Sequence, residues 1–329
     1  MRRRGWLVAT GGSAAFAFIL LHCGGDDPAR NDGDLLLPDR GDPDGASRDD
    51  GASDASTFDA RQGCDLSKPF GTPFPLPELS SIAARSTPRL SADELTIYFT
   101  SNGADAGSDL TMATRTSVTG SFGGETILPQ SSPSNDNDPS VTADHLALWF
   151  HSSRNGTADI FVATRTATNM PFGTASTVDP IDQPTTNENH AYFRNAGSEL
   201  WFISDRDGGA GGFDIYVAKR GSGGAFAKPT RVAELSSSAN DWQPQPSEDG
   251  LTMLFASDRD GGAGKMDLWI AHRADAAAPF DKPKPLTELN SANQDQAGWL
   301  SADGCRIWFS SGRGTADARQ QIFHAERPQ

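Results

Sequence analysis

Carboxylates crowd two short stretches of the chain, "SDRDGGAGGFD" (204–214) and "SDRDGGAGKMD" (257–267). Each sets three aspartates on a glycine-rich loop, Asp205, Asp207 and Asp214 in the first and Asp258, Asp260 and Asp267 in the second. Several hard oxygens on a flexible turn are what calcium requires. Neither loop has EF-hand spacing or a bidentate glutamate at the right offset, and Asp-Gly is also ordinary turn chemistry. Turn formation is the favoured reading and calcium the alternative; no other cofactor is called for.

A second set of acids recurs at wide intervals, Asp136, Glu188, Asp241 and Asp295, with Arg85 in the corresponding first place. His190 and Trp242 stand beside two of them. Gathered on one face, these residues would make an acidic ligand surface with an aromatic and a titratable group; turn capping by Asn and Asp is the alternative. No catalytic motif accompanies them: G-x-S-x-G, H-E-x-x-H and C-x-x-C are all missing. The histidines, His22, His145, His151, His190, His272 and His324, include no pair at metal-ligand spacing on one element. The sequence therefore favours a non-enzymatic binding or scaffold protein. A hydrolase of glycosidase type, needing only two carboxylates about 5–10 Å apart, is the alternative.

The elements that must position these residues are repeats. One segment occurs five times: "LTIYFTS" (95–101), "LALWFHS" (146–152), "SELWFIS" (198–204), "LTMLFAS" (251–257) and "CRIWFSS" (305–311). Each is followed by a second segment, "DLTMATR" (109–115), "DIFVATR" (159–165), "DIYVAKR" (214–220), "DLWIAHR" (267–273) and "QIFHAER" (321–327). A third carries a Phe and ends on an aliphatic residue, as in "PFDKPKPLTEL" (279–289), and a turn-prone piece such as "WLSADG" (299–304) precedes each Phe strand. Each unit thus supplies about four short strands separated by Gly, Asp-Gly or Ser-Asp turns. One such sheet cannot cover its own apolar faces, whereas sheets stacked around an axis can, and ring closure protects their edges. The expected fold is all-β, a five-bladed β-propeller of four-stranded blades. The last unit lacks a fourth strand and a spare one, "PFGTPFPLPEL" (69–79), precedes the first, so an N-terminal strand should complete the C-terminal blade.

"S-x-D-G" before the Phe strand, then "F-x-S-x-R" and "D-I-Y-V-A-x-R", resemble the WD40-like repeats of the periplasmic TolB protein and of many bacterial envelope lipoproteins. The resemblance covers roughly residues 65–329. It implies an envelope location and a protein or peptidoglycan-associated partner.

Within the repeats, Arg154, Arg206 and Arg259 face Asp159, Asp214 and Asp267 across a hairpin, which suggests an Arg–carboxylate pair in each. On the opposite rim, Asp93, Asp144, Asp249 and Asp303 can meet Arg115, Arg165, Arg273 and Arg327. Trp149, Trp201, Trp269 and Trp308 sit on strands, where packing between blades is the expected role.

The N-terminus is an address. "MRRRGWLVATGGSAAFAFILLHC" joins a basic start to a short apolar run. It resembles a bacterial lipoprotein signal over residues 1–22, with "LLHC" as the lipobox and Cys23 as the acylated residue. Gly24, where inner-membrane retention would place Asp, points to the outer membrane. Residues 23–62, rich in Asp, Gly, Pro, Ser and Ala, are expected to form a disordered acidic tether to a propeller over 63–329. With Cys23 assigned to lipid, Cys64 and Cys305 remain, should lie on one rim, and are expected to form a disulfide in an oxidising compartment. Lys+Arg number 28 against Asp+Glu 43, a net charge of −15, which argues against nucleic-acid binding. The expected protein is exported, lipid-anchored and monomeric.

Overall fold

The computed structural model describes residues 63–79, 83–102, 107–194 and 198–329. The signal peptide, Cys23 and the tether expected over 1–62 lie outside the described residues.

Among the described residues, twenty strands form five four-stranded antiparallel sheets. The N-terminal strand β1 (Phe74–Pro75) belongs to the last sheet. Blade 1 contains β2 (Arg85–Leu90), β3 (Thr96–Asn102), β4 (Ser108–Thr114) and β5 (Gly123–Ile127). Blade 2 contains β6 (Asp136–Val141), β7 (Ala147–Ser152), β8 (Asp159–Thr164) and β9 (Ser176–Thr177). Blade 3 is β10 (Glu188–Arg194), β11 (Glu199–Ser204), β12 (Asp214–Lys219) and β13 (Thr230–Arg231). Blade 4 is β14 (Asp241–Pro246), β15 (Thr252–Ser257), β16 (Asp267–His272) and β17 (Lys284–Pro285). Blade 5 is β18 (Asp295–Leu300), β19 (Arg306–Ser311) and β20 (Gln321–Glu326), completed by β1 in the order β1-β20-β19-β18. The molecule is a five-bladed β-propeller closed by its N-terminal strand.

The repeated Phe explains the stacking. Phe99, Phe150, Phe202, Phe255 and Phe309 are fully buried at the middle of the second strands, whose neighbours are buried on both faces. A strand covered on both faces reads as a continuous apolar run rather than an alternation. Trp149 packs with Phe193 and Leu200 of blade 3, and Trp201 with Met253 and Phe255 of blade 4, so the tryptophans join adjacent blades. The outermost strands of blades 2 to 5 are two residues long, which leaves little free edge for association.

Closure is apolar and covalent. Leu76 and Leu79 pack with Leu90 and Phe99 of blade 1 and with Trp308 and Ile322 of blade 5. Cys64 and Cys305 form a disulfide between positions 241 residues apart. Disulfides persist in oxidising compartments, in keeping with an exported chain.

The turn between the first two strands is built alike in four blades. Ser91, Thr142, Ser247 and Ser301 donate to Asp93, Asp144, Asp249 and Asp303, which accept the N–H of Leu95, Leu146, Leu251 and Cys305. The arginines expected to meet those aspartates go elsewhere. Arg115, Arg165, Arg273 and Arg327 donate through Nε to the carbonyls of Glu94, His145, Gly250 and Gly304, the residue after each Asp. That residue has a left-handed backbone, φ 59° at Glu94 and 73° at Gly250, which turns its carbonyl toward the guanidinium.

Candidate functional site

The acids at the inner-strand starts do not form an exposed face. Asp136, Glu188, Asp241 and Asp295 are all fully buried. A desolvated carboxylate needs a partner, and the chain supplies an arginine 18 residues later in each case. Arg154, Arg206 and Arg313 approach Asp136, Glu188 and Asp295 at 2.5, 3.1 and 2.8 Å, and Arg259 meets Asp241 in the same way. Each guanidinium also binds the serine at the end of the second strand and a carbonyl of the preceding inter-blade loop, as Arg206 does with Ser204 and Ile181.

These contacts replace the hairpin pairs expected with Asp159, Asp214 and Asp267. Asp214 instead accepts the N–H of Ala210 and Gly211, and Asp267 those of Ala263 and Gly264, while Asp159 binds Asn155 and Thr157. The hairpin aspartates cap their own loops because glycine-rich turns leave backbone donors facing them. Asp205 and Asp258 are engaged by Asn187 and Asn240. Asp207 and Asp260 are exposed. The six carboxylates considered for calcium are not brought together: among the described residues, metal-range donor clusters occur at two other places.

The inner strands carry a more unusual feature. In blades 1 to 4 the third residue has a left-handed backbone, Thr87 (φ 52°), Asp138 (56°), His190 (54°) and Gln243 (54°). The ladder slips there in every blade, with Ala297–Trp299 marking the slip in blade 5. Left-handed backbone at non-glycine residues costs of order 1–3 kcal/mol each and gathers at ligand clamps and active sites, and bulges re-aim side chains. At Gly298 an added Cβ would lie 2.2 Å from the Trp308 carbonyl oxygen, so only glycine permits this approach of the blade 5 strand.

These bulges assemble a polar cluster from blades 2 and 3. His151 Nδ1 lies 2.9 Å from Asp138 Oδ2, and His190 Nδ1 contacts the same oxygen. The two imidazoles meet edge-on with centroids 5.4 Å apart, and the Trp242 ring lies 5.6 Å from that of His190. The Asp138 N–H donates to Thr100 Oγ1 of blade 1. Burial opposes ionisation of Asp138, but the His190 and His151 imidazoles outweigh it and hold the carboxyl well below the usual carboxylate range. Burial likewise lowers His190, against the opposing pull of Asp138, and favours its neutral form.

Around this cluster stand Arg89, only 2% exposed, and Tyr192. Arg89 donates to Gln245 Oε1 at 2.5 Å and to the Gly298 carbonyl, with its guanidinium 5.6 Å from the Tyr192 ring centroid. Burial pushes Arg89 down to about 10 although Asp138 and Tyr192 pull it up. Burial, with Glu248 adjacent, raises the Tyr192 phenol. Gln243 is fully buried, and neither its amide nitrogen nor its amide oxygen has a hydrogen-bond partner. The residues one step before the bulge, Ser86, Asn137, Asn189, Trp242 and Gln296, are half-buried and carry no charge.

Two groups of donors could hold a cation, Asp138 with His151 and His190, and Asp159 with Asp182 and Glu188. The second is already committed: Asp182 accepts the N–H of Ile160 and Val178, and Glu188 is held by Arg206, Ser204, Thr186 and the Gln183 N–H. Asn290 holds Leu268 in blade 4 as Asp182 holds Ile160, which marks that position as a strand support.

No family model matches the sequence, and no curated protein matches it. Solved structures do. The catalytic domain of the GH62 alpha-L-arabinofuranosidase of Coprinopsis cinerea aligns over 79% of this chain and 96% of its own, at 12% identity and TM-score 0.51. A family 117 glycoside hydrolase of Zobellia galactanivorans aligns over 79% and 90%, at 12% identity and TM-score 0.50. TolB of Acinetobacter baumannii aligns at 17% identity and TM-score 0.47 over 76% of this chain, which spans 56% of that protein. With the two glycoside hydrolases the shared property is the fold. Fold does not fix function, which must be argued from the site.

Proposed function

We propose that the chain is a membrane-tethered, non-enzymatic binding propeller of the bacterial cell envelope. It recognises a protein or peptidoglycan-associated ligand at the mouth of its channel and is held at the outer membrane by acylated Cys23. One observation carries the reading: at the inner-strand bulges, the ring Thr87, Asp138, His190, Gln243 and Ala297 holds a single carboxylate, engaged by two histidines. Glycoside hydrolysis by the usual route needs two carboxyl groups, one of them free to give a proton. The strand-start acids do not serve, because each is fully buried and already bound by a guanidinium and a serine.

The neutral set Ser86, Asn137, Asn189, Trp242 and Gln296 replaces the acidic face expected from the sequence. Amides and an indole suit neutral polar groups, such as peptide amides or sugar hydroxyls, better than cations.

The test joins capture to catalysis. The chain is immobilised and exposed to envelope extract and isolated peptidoglycan, and the same preparation is incubated with a panel of chromogenic glycosides. Saturable capture without glycoside turnover is the expected result. Turnover that disappears in Asp138→Asn would overturn the reading in favour of a hydrolase. Metabolic labelling with a fatty-acid analogue should mark the parent and not Cys23→Ala; equal labelling would remove the anchor.

A further inference from the structure

We propose that Asp138 Oδ2, His151 Nδ1 and His190 Nδ1 form a binding site for a borderline divalent transition-metal ion, of the class of Zn²⁺, Ni²⁺ or Fe²⁺, on the inner strands of blades 2 and 3. The three donor atoms lie within 4.8 Å of one another, although their residues come from β6, β7 and β10. Two imidazoles and one carboxylate on one side of an ion, with the remaining positions open, is a donor set that such ions accept. Adjacent ligands at metal–donor distances of about 2.0–2.1 Å stand roughly 2.9 Å apart in an octahedral arrangement, and His151 Nδ1 and Asp138 Oδ2 stand 2.9 Å apart.

Gln243 supplies an independent pointer. It occupies the bulge position next round the ring from His190, is fully buried, and has both amide atoms without a partner. A buried amide left unpaired costs about 1–3 kcal/mol. An ion with open positions gives it a role, as an oxygen ligand or as a hydrogen-bond partner to metal-bound water. Calcium and magnesium fit poorly, since they prefer six or more oxygens and the cluster offers one carboxylate. The Arg89 charge nearby disfavours every cation and leaves selection to ions with strong intrinsic affinity for imidazole.

The experiment uses the full chain without a polyhistidine tag, stripped by chelator and titrated calorimetrically with Zn²⁺ and Co²⁺. Expected are one ion per chain and a visible Co²⁺ d–d band. Asp138→Asn, His151→Gln and His190→Asn should each weaken binding by more than the roughly 10–100-fold typical of outer-shell changes. His145→Gln and His272→Gln should leave it unchanged, and excess Ca²⁺ should not compete. No saturable uptake, or uptake that survives His151→Gln combined with His190→Asn, overturns the proposal. Should those variants fail to fold, crystals of the parent grown with Zn²⁺ give the answer: an anomalous peak among the three side chains supports it, and a peak elsewhere or none overturns it.

Discussion

The Arg313 guanidinium lies 2.8 Å from Asp295 Oδ1, and that carboxylate is fully buried. Three other blades repeat the pairing, so the arginines tie inner strand, second strand and inter-blade loop together. Removing one partner of a buried pair typically costs about 3–5 kcal/mol. Arg313→Met should therefore lower the melting temperature, and combining it with Asp295→Asn should recover part of the loss. A double-mutant cycle measured by thermal unfolding checks this. Strict additivity, within about 0.5 kcal/mol, would show that the pair is not coupled.

The Cys64–Cys305 disulfide spans 241 residues and ties the closing segment to the last blade. Loop-entropy arguments give a ceiling of about 5.5 kcal/mol for so long a loop. Cys64→Ser with Cys305→Ser should remain folded, because the apolar seam at Leu76 and Leu79 persists, yet melt earlier and lose protection from proteolysis first near residues 63–79. Proteolysis starting elsewhere at an unchanged midpoint would contradict the clasp.

Much of this architecture was legible in the sequence, because the Phe strand and its turns recur at near-constant spacing and the missing last strand has an obvious donor. The disulfide followed from the same topology. The arginines do not make the expected hairpin pairs, and the repeats themselves contain the reason. Blade 1 has Gly103 where the arginine belongs and Arg85 where the strand-start acid belongs, so it lacks both partners together. Blade 5 keeps Arg313 and Asp295 while Gln321 replaces the hairpin acid. The arginine thus accompanies the strand-start acid, not the hairpin one. Asp138, Arg89, Tyr192 and Gln243, and the partnership of His151 with His190, carry no signal in the sequence because they do not recur from repeat to repeat. The bulge position differs in every blade, Thr, Asp, His, Gln and Ala, and only folding shows that these residues share one ring. Two histidines on different blades carry no spacing signal.

Burial pushes the Asp182 carboxyl up to about 6; the Ile160 and Val178 N–H groups oppose the rise, and nearby Asp159 and Glu188 add to it. An unfolded aspartate titrates near 3.9. Between about pH 4 and 6 the folded state therefore holds a proton that the unfolded state has released, and this group's contribution to stability falls as pH rises. Asp182→Asn removes that slope. Its stability relative to the parent should improve from pH 4 to pH 7 in denaturant titrations. An equal offset at both values would contradict the assignment.

On the proposed ligand face, Asn137→Ala with Asn189→Ala should weaken ligand capture by at least about tenfold, roughly 1.4 kcal/mol. Both side chains are half-buried, so the melting temperature should move little. By contrast, reversing the charge of Glu188 or Asp241, which are fully buried, should unfold the blades. Capture unaffected by the Asn changes would move the binding surface elsewhere.

The carboxylates divide their labour: Asp241 and its counterparts hold the blades, and Asp138 is assigned to the proposed metal site. Thermal melts of the parent, Asp241→Asn and Asp138→Asn, each with and without Zn²⁺, test this division directly. Asp241→Asn should melt several degrees below the parent yet gain as much from Zn²⁺, as expected for a ligand bound by the native state alone. Asp138→Asn should melt near the parent and gain nothing. A Zn²⁺ shift that survives in Asp138→Asn, or an Asp241→Asn chain as stable as the parent, would contradict the account.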